Sequence, residues 1–431
     1  MTYYSLNHNA EDTSFKDAVI KGLAPDKGLY FPKEIKPLPD SFFETIESLD
    51  TTTIAYEAIK QFVGDEIPEH ELKQILTEVL DFNFPVEKVE DTIYALELYH
   101  GPTMAFKDVG ARFMAKCLGY FNKAKQENVT VLVATSGDTG GAVANGFLGV
   151  DGVDVVILYP SGKVSDIQEK QLTTLGQNIT ALEVNGTFDD CQTMVKQAFL
   201  DNDYKGKRQL TSANSINVAR WLPQMFYFFL AYKALKSNNK TLVFSVPSGN
   251  YGNICAGMMA QKLGLPIHHF VTGTNANNVV PKYLKTGNYN IKKSVQTISN
   301  AMDVGAPSNF IRIEELHNND LDTLRKNLSG FSYTDTETTA AINTLYTTKN
   351  YIADPHGAIG YLALKAYLKD NPDNHQGVFL ETAHPIKFLD VMPSAIKEKI
   401  AMPAQIEAVM DKEKQSIKIS DYTELKRYLL S

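Results

Sequence analysis

The segment His100-Gly101-Pro102-Thr103-Met104-Ala105-Phe106-Lys107-Asp108 sets one lysine after an apolar stretch and a Gly-Pro turn, just ahead of an amphipathic helix. Beyond it, Val109, Phe113, Cys117, Leu118 and Phe121 recur with helical spacing. Lys107 therefore stands at or just before the first helical turn, at the positive end of the helix dipole. An ammonium is disfavoured there and its pKa falls. A lysine poised as a neutral amine is what Schiff-base chemistry requires. Taken alone, the segment reads more simply as a solvated lysine at a helix start. Turns further along the chain reverse that preference.

Three of those turns are rich in Gly, Ser, Thr and Asn and fall where a strand gives way to a helix. The first is Thr135-Ser136-Gly137-Asp138-Thr139-Gly140-Gly141, whose helix continues with small residues that let backbone approach a ligand. The second is Ser248-Gly249-Asn250-Tyr251-Gly252-Asn253, with glycines three apart among hydroxyl and amide side chains. The third is Ser212-Ala213-Asn214-Ser215-Ile216-Asn217, with Arg220 about one turn into the next helix. Free N–H groups at such turns hold carboxylates or phosphates. Any one of them fits a plain strand–helix connection equally well; three in succession are harder to dismiss. None is a Gly-x-x-x-x-Gly-Lys-Ser/Thr loop. None gives Gly-x-Gly-x-x-Gly with an acidic residue about 20 positions on, which disfavours a nicotinamide dehydrogenase. One activatable lysine with several separate oxyanion turns is what a pyridoxal phosphate enzyme needs: the lysine takes the aldehyde, one turn the cofactor phosphate, another the substrate carboxylate. A third anion site suits a substrate with a phosphate of its own.

The elements that must position these turns follow a regular order. Strands are expected at Val129–Ala134, Val153–Tyr159, Ile179–Val184, Gln209–Ser212, Thr241–Val246 and Ile267–Thr272. Helices are expected between them at Thr139–Leu148, Ser165–Leu175, Thr187–Leu200, Ile216–Leu235 and Ile254–Leu263, with Ser165 and Gln168 in capping-box spacing. Such alternation builds parallel sheets covered on both faces, with ligands at the carboxyl ends of the strands. The first 90 or so residues differ: Thr53–Phe62 and Glu69–Val79 read as helices, and Phe84 to Leu96 as extended. Asn318 to Thr339 reads as peripheral helix and loop, and the charge-dense tail from Asp411 to Leu430 as a solvated helix face. Three domains are expected: an N-terminal segment, 1–92; a smaller α/β domain carrying Lys107 and the 135–141 loop, 93–236; and a larger α/β cofactor-phosphate domain, 237–431.

Composition bounds the function. With 431 residues, 43% hydrophobic and 21% charged, the chain can bury a sizeable core. A formal charge of −8 argues against a nucleic-acid partner held through phosphates. No signal peptide is expected from the first residues, and no stretch approaches the roughly 20 apolar residues that span a bilayer. Cys117, Cys191 and Cys255 are far apart and fall in helical segments, which predicts small buried hydrophobes in a reducing cytosol, with no disulfide or metal site. His268-His269 follows Pro266 in an apolar run and reads as strand.

Taken together, these residues resemble the pyridoxal phosphate-dependent threonine synthase family over most of the chain. The resemblance rests on Gly22 to Tyr30, on His100 to Asp108, on Ser136-Gly137-Asp138-Thr139-Gly140 and on Gly249-Asn250-Tyr251-Gly252-Asn253. It extends through Ala301-Met302-Asp303-Val304, Pro307-Ser308-Asn309-Phe310 and Thr382-Ala383-His384-Pro385-Ile386-Lys387-Phe388. It implies fold type II of these enzymes, two open twisted, mainly parallel sheets flanked by helices, with an N-terminal helical and extended segment. It also implies a cofactor carried on Lys107, its phosphate held by the Ser248 to Asn253 loop and its ring nitrogen beside Thr382. The substrate it implies is O-phosphohomoserine, with Ser136, Thr139, Asn214, Ser215 and Arg220 contacting its anionic groups and Arg112 as a further candidate. Lys107 would then move the α- and β-protons, the γ-phosphate would leave, and water would add at the β-carbon.

Alternatives stay open at three of these positions. Thr382 also fits a strand-end hydroxyl that caps backbone, and Arg220 a surface salt bridge. Many relatives have Asn at the position of Asp138, where the amide faces the cofactor's ring oxygen. A carboxylate there is repelled by a phenolate unless protonated or turned away. A cofactor contact and a helix cap are thus both open for Asp138. The rival functions are a threonine or serine dehydratase or a phospho-lyase of the same fold, and a catalytically silent ligand-binding relative. These residues do not define an oligomeric state.

Overall fold

The computed structural model describes residues 1–123, 128–204 and 207–431. In chain order its strands are β1 (Thr2–Ser5), β2 (Thr13–Ser14), β3 (Tyr30–Pro32), β4 (Val86–Lys88), β5 (Ile93–Glu97), β6 (Val129–Ala134) and β7 (Val153–Pro160). They continue with β8 (Ile179–Val184), β9 (Gln209–Ser212), β10 (Thr241–Pro247), β11 (Ile267–Thr274), β12 (Leu328–Ser332), β13 (His375–Glu381) and β14 (Ile417–Ile419). A small antiparallel sheet runs β2-β1-β3. The larger sheet has the order β12-β11-β10-β13-β5-β4, parallel except for the β4–β5 pair. The other, β14-β8-β7-β6-β9, is parallel throughout. Strands buried on both faces need continuous apolar sequence, and Val129–Ala134 is buried at all six positions.

Each parallel sheet reverses its winding at one place. In the larger sheet β10 is flanked by β11 on one side and β13 on the other; in the smaller, β6 lies between β7 and β9. Crevices open at the carboxyl ends of strands where the order reverses. The Ser248–Asn253 loop follows β10 and Thr382 follows β13. The Thr135–Gly141 turn follows β6, and Ser212–Asn217 begins at the last residue of β9. All four segments thus lie at the two switch points.

The structure departs from the sequence expectations in four places. The expected helix Ile216–Leu235 is broken into Val218–Trp221, a tight turn at Leu222–Met225 and Phe226–Leu235. Pro223 explains the break, since it lacks an N–H and its ring crowds the carbonyl four residues back. Leu328–Ser332, within the stretch read as helix and loop, is an edge strand paired to β11. The expected boundaries at 92/93 and 236/237 do not follow sheet membership. β5 pairs with β13 in the larger sheet, and β14 crosses back to pair with β8 in the smaller one. The tail is therefore no free helix face: Leu425 and Leu429 of helix Tyr422–Leu430 are buried with Leu182, Val184 and Cys191.

Candidate active site

Lys107 is the first residue of the helix Lys107–Asn122, as its spacing predicts. The approach to it is pinned on both sides. The Phe106 N–H donates to the Thr382 carbonyl (2.8 Å), Ala105 bridges Ala383, and the Tyr227 hydroxyl donates to the Phe106 carbonyl. Lys107 is half-buried and makes no ion pair with a described residue. Its pKa is pushed down to about 8, chiefly by burial; the Asp138 carboxylate opposes the shift while Arg220 and Lys387 add to it. The position at the helix start is as expected, but burial rather than the helix dipole is the leading cause.

At the larger sheet's switch point the loop offers peptide groups. The N–H groups of Gly249, Asn250, Tyr251, Gly252 and Asn253 donate to no described residue, and they precede the helix Gly252–Lys262. Ser248 and Asn253 brace the loop with their side chains: the Ser248 hydroxyl donates to the Val246 carbonyl (3.0 Å) and the Asn253 amide to the Pro247 carbonyl (2.9 Å). Asn250 donates to the Ser215 hydroxyl (2.7 Å) and accepts from the Ser308 N–H (2.6 Å), tying the loop to the third turn. Tyr251 holds a left-handed backbone (φ 63°), an uncommon conformation of the kind kept at ligand clamps. A β-carbon at Gly249 would lie 2.8 Å from the Ala301 carbonyl oxygen and from the Met302 Cα, so only glycine fits. Thr382, just past the end of neighbouring strand β13, is buried, and its hydroxyl bonds no described residue, contrary to a backbone-capping role.

At the smaller sheet's switch point, the Thr135 hydroxyl accepts from the Gly137 and Gly140 N–H groups (3.0 and 2.8 Å). The N–H groups of Ser136, Asp138 and Thr139 have no described acceptor, and the Ser136 and Thr139 side chains are half-buried. Gly137 (φ 141°) precedes the helix Asp138–Phe147 without a side-chain cap, so Asp138 is not the expected helix cap. Its Oδ1 instead meets the buried Lys387 ammonium at 2.6 Å and accepts from the Gln168 amide at 3.0 Å. Burial alone would raise the Asp138 carboxyl, but the positive charges of Lys387 and Lys107 outweigh it and hold it well below the usual carboxylate range.

The two arginines differ sharply. Arg220 is 2% exposed, so the surface salt bridge is not what the structure contains. Its Nη1 donates to the Ala213 carbonyl, its Nε has no partner, and no described carboxylate pairs with it. Burial lowers its pKa to about 10, far enough above neutrality to keep the charge. On the same turn the Asn214 Oδ1 is buried without a partner, and Ser215 accepts from Asn250 and Asn309. Arg112, in contrast, is spent. Its guanidinium grips Asp81 through both Nη atoms (2.5 and 2.9 Å) and donates to the Glu78 carbonyl, stapling the lysine helix to the N-terminal helices. It is not available to a substrate anion.

These features fit pyridoxal phosphate. Five open peptide donors at a helix start suit its phosphate, a desolvated amine suits its aldehyde, and a free threonine hydroxyl follows β13, the strand between β10 and β5. Sequence reasoning gave no site role to Lys387, Gln168, Asn309 or Arg312, although Lys387 and Asn309 fall in segments of the resemblance and Gln168 in the expected capping box. Lys387 had one signal, a lone cation in an apolar run. Arg312 is fully buried, donates to Asn309, Tyr30 and Ile216, and so braces the third turn.

Comparison with known proteins agrees with this geometry. The family described as "Pyridoxal-phosphate dependent enzyme" matches residues 72–380. "Threonine synthase N terminus" matches 2–79 and "Threonine synthase, C-terminal" matches 357–429. Threonine synthase of Buchnera aphidicola subsp. Acyrthosiphon pisum is 43% identical over the whole of both chains. The crystal structure of threonine synthase from Escherichia coli superposes with a TM-score of 0.92 at 40% identity, covering 100% of this chain and 99% of that one. A structure described as PLP-bound threonine synthase from Brucella melitensis gives 0.93 at 32%, with the same coverage. The chain belongs to the threonine synthase family of pyridoxal phosphate-dependent enzymes.

Proposed function

We propose that this chain converts O-phospho-L-homoserine and water into L-threonine and phosphate, with pyridoxal 5'-phosphate held on Lys107. Arg220 carries this reading. A guanidinium buried beside the reacting amine, with most donors unspent, answers to an anion brought by the substrate. It adds to the two peptide clusters that receive the cofactor phosphate and the substrate carboxylate, and a substrate with two anionic ends occupies the full set.

The N–H groups of Gly249 to Asn253 would hold the cofactor phosphate, and the Thr382 hydroxyl would serve the ring nitrogen. Asp138, paired with Lys387, would add no net negative charge beside the ring. When bound, the cofactor supplies an electron sink for the charge left as C–H bonds break. Ser136 and Thr139 receive the carboxylate; Asn214, Ser215 and Arg220 receive the phosphate ester. Lys107, an amine with a pKa near 8, takes the proton from the α-carbon and, once it has given that proton up, takes the one from the β-carbon. Phosphate departs from the γ-carbon into the grip of Arg220, Lys107 returns a proton to the γ-carbon, water adds its hydroxyl at the β-carbon while its proton goes to the released phosphate, and the α-carbon regains its proton from Lys107. Enclosure of the crevice between the sheets keeps water out until that stage. The three cysteines are unpaired and buried, which supports a reducing cytosol as the place of work.

The test is incubation of the purified protein with O-phosphohomoserine, following phosphate and threonine together. Equal amounts of both are expected. Release of 2-oxobutyrate in place of threonine overturns the proposal in favour of the dehydratase or phospho-lyase. Lys107→Ala is expected to abolish turnover with an unchanged far-ultraviolet circular dichroism spectrum.

A further inference from the structure

Lys387 is fully buried, and burying an ammonium costs several kcal/mol unless it is well paired, so its presence beside the site calls for a role. Its Nζ is shared between the Asp138 carboxylate (2.6 Å) and the Thr103 carbonyl (2.9 Å). Asp138 begins a helix of the smaller sheet, Lys387 lies in the turn Pro385–Phe388 after β13 of the larger one, and Thr103 belongs to the segment leading into Lys107. The ion pair therefore joins an element of the smaller sheet to one of the larger sheet. Gln168 donates to the same carboxylate oxygen from a third direction.

Three charged groups on neighbouring elements act electrostatically on Lys107: Asp138, Arg220 and Lys387. Asp138 is the only one of opposite sign. A carboxylate free to swing towards Lys107 would pair with it and fix it as an ammonium, which is neither nucleophile nor base. We propose that Lys387 is a positioning residue that holds the Asp138 carboxylate in a buried pair between elements of the two sheets, so that the Lys107 amine stays free. This rests on the reading of Lys107 as the reacting amine.

The experiment uses the cofactor-free protein, its lysines labelled by reductive 13C-methylation, with the Lys107 resonance identified by its loss in Lys107→Arg. Lys387→Met is expected to raise the titration midpoint of Lys107 by about one pH unit or more, because the carboxylate is released to it. Asp138→Asn is expected to lower it. The double variant, neutral on both sides, is expected to return it to within about half a unit of the parent. An unmoved midpoint in Lys387→Met, or a double variant that keeps the raised value, overturns the proposal. Should Lys387→Met fail to fold, Asp138→Asn decides: a fall supports the proposal and no change overturns it. A parent Lys107 that titrates with the surface lysines sinks the reading of Lys107 itself, an outcome distinct from all of these.

Discussion

One half of the site, the Gly249–Asn253 loop, offers anions peptide groups alone, whereas the half around Lys107 adds charged side chains drawn from both sheets. Peptide donors of Gly249 to Asn253 carry no titratable charge and keep their polarity at every pH; what they demand is space and a fixed backbone. Arg220, Asp138, Lys387 and Lys107 sit in a low-dielectric setting where each charge reports on the others. A cofactor that stays bound is matched by the unchanging half, and a substrate whose charge leaves during the reaction by the tunable half.

Substitutions can break this contrast. Arg220→Met should lower kcat/KM by about a thousandfold, roughly 4 kcal/mol, while cofactor affinity stays near its parent value. Cofactor loss as large as substrate loss would erase the division between the halves. Gly249→Ala should do the converse. The added carbon meets the Ala301 carbonyl and Met302 backbone, so cofactor affinity, measured by absorbance titration, should weaken by about 10- to 100-fold.

Lys107→Met sharpens the contrast through pH. The folded protein binds this proton less readily than the unfolded chain, whose lysine titrates at 10.5. The penalty is full below pH 8 and disappears as pH rises to 10.5, because both states are then neutral. Removing the amine should thus stabilise the cofactor-free protein at pH 7 by about 2 kcal/mol in urea unfolding, with the gain shrinking between pH 8 and 10. A gain that does not vary with pH would mean packing, not charge, is responsible. The smallest effect is expected at Arg112→Met: about 1 kcal/mol of stability lost with its Asp81 pair, and kcat within about twofold of the parent.

The parallel strands were legible because burial on both faces leaves an unbroken apolar run, as in Val155–Tyr159. The anion turns were legible because Gly, Ser and Asn are required where backbone meets ligand. Arg112 and Arg220 look alike in sequence, and only the fold shows that one meets Asp81 while the other meets no carboxylate. Leu328–Ser332 and Ile417–Ile419 escaped because short edge strands with polar residues carry little periodic signal. Lys387 escaped because its partners come from other elements far along the chain, and pairing over such separations leaves no local pattern.

The third turn hangs on the beginning of the chain. Asn217 donates to the Val19 carbonyl and Arg312 to that of Tyr30, contacts that join residues 198 and 282 positions apart. The first thirty residues thus leave the ribosome long before the groups they serve exist. During synthesis water must hold these carbonyls, and the third turn can be completed only once Asn217 and Arg312 have been made.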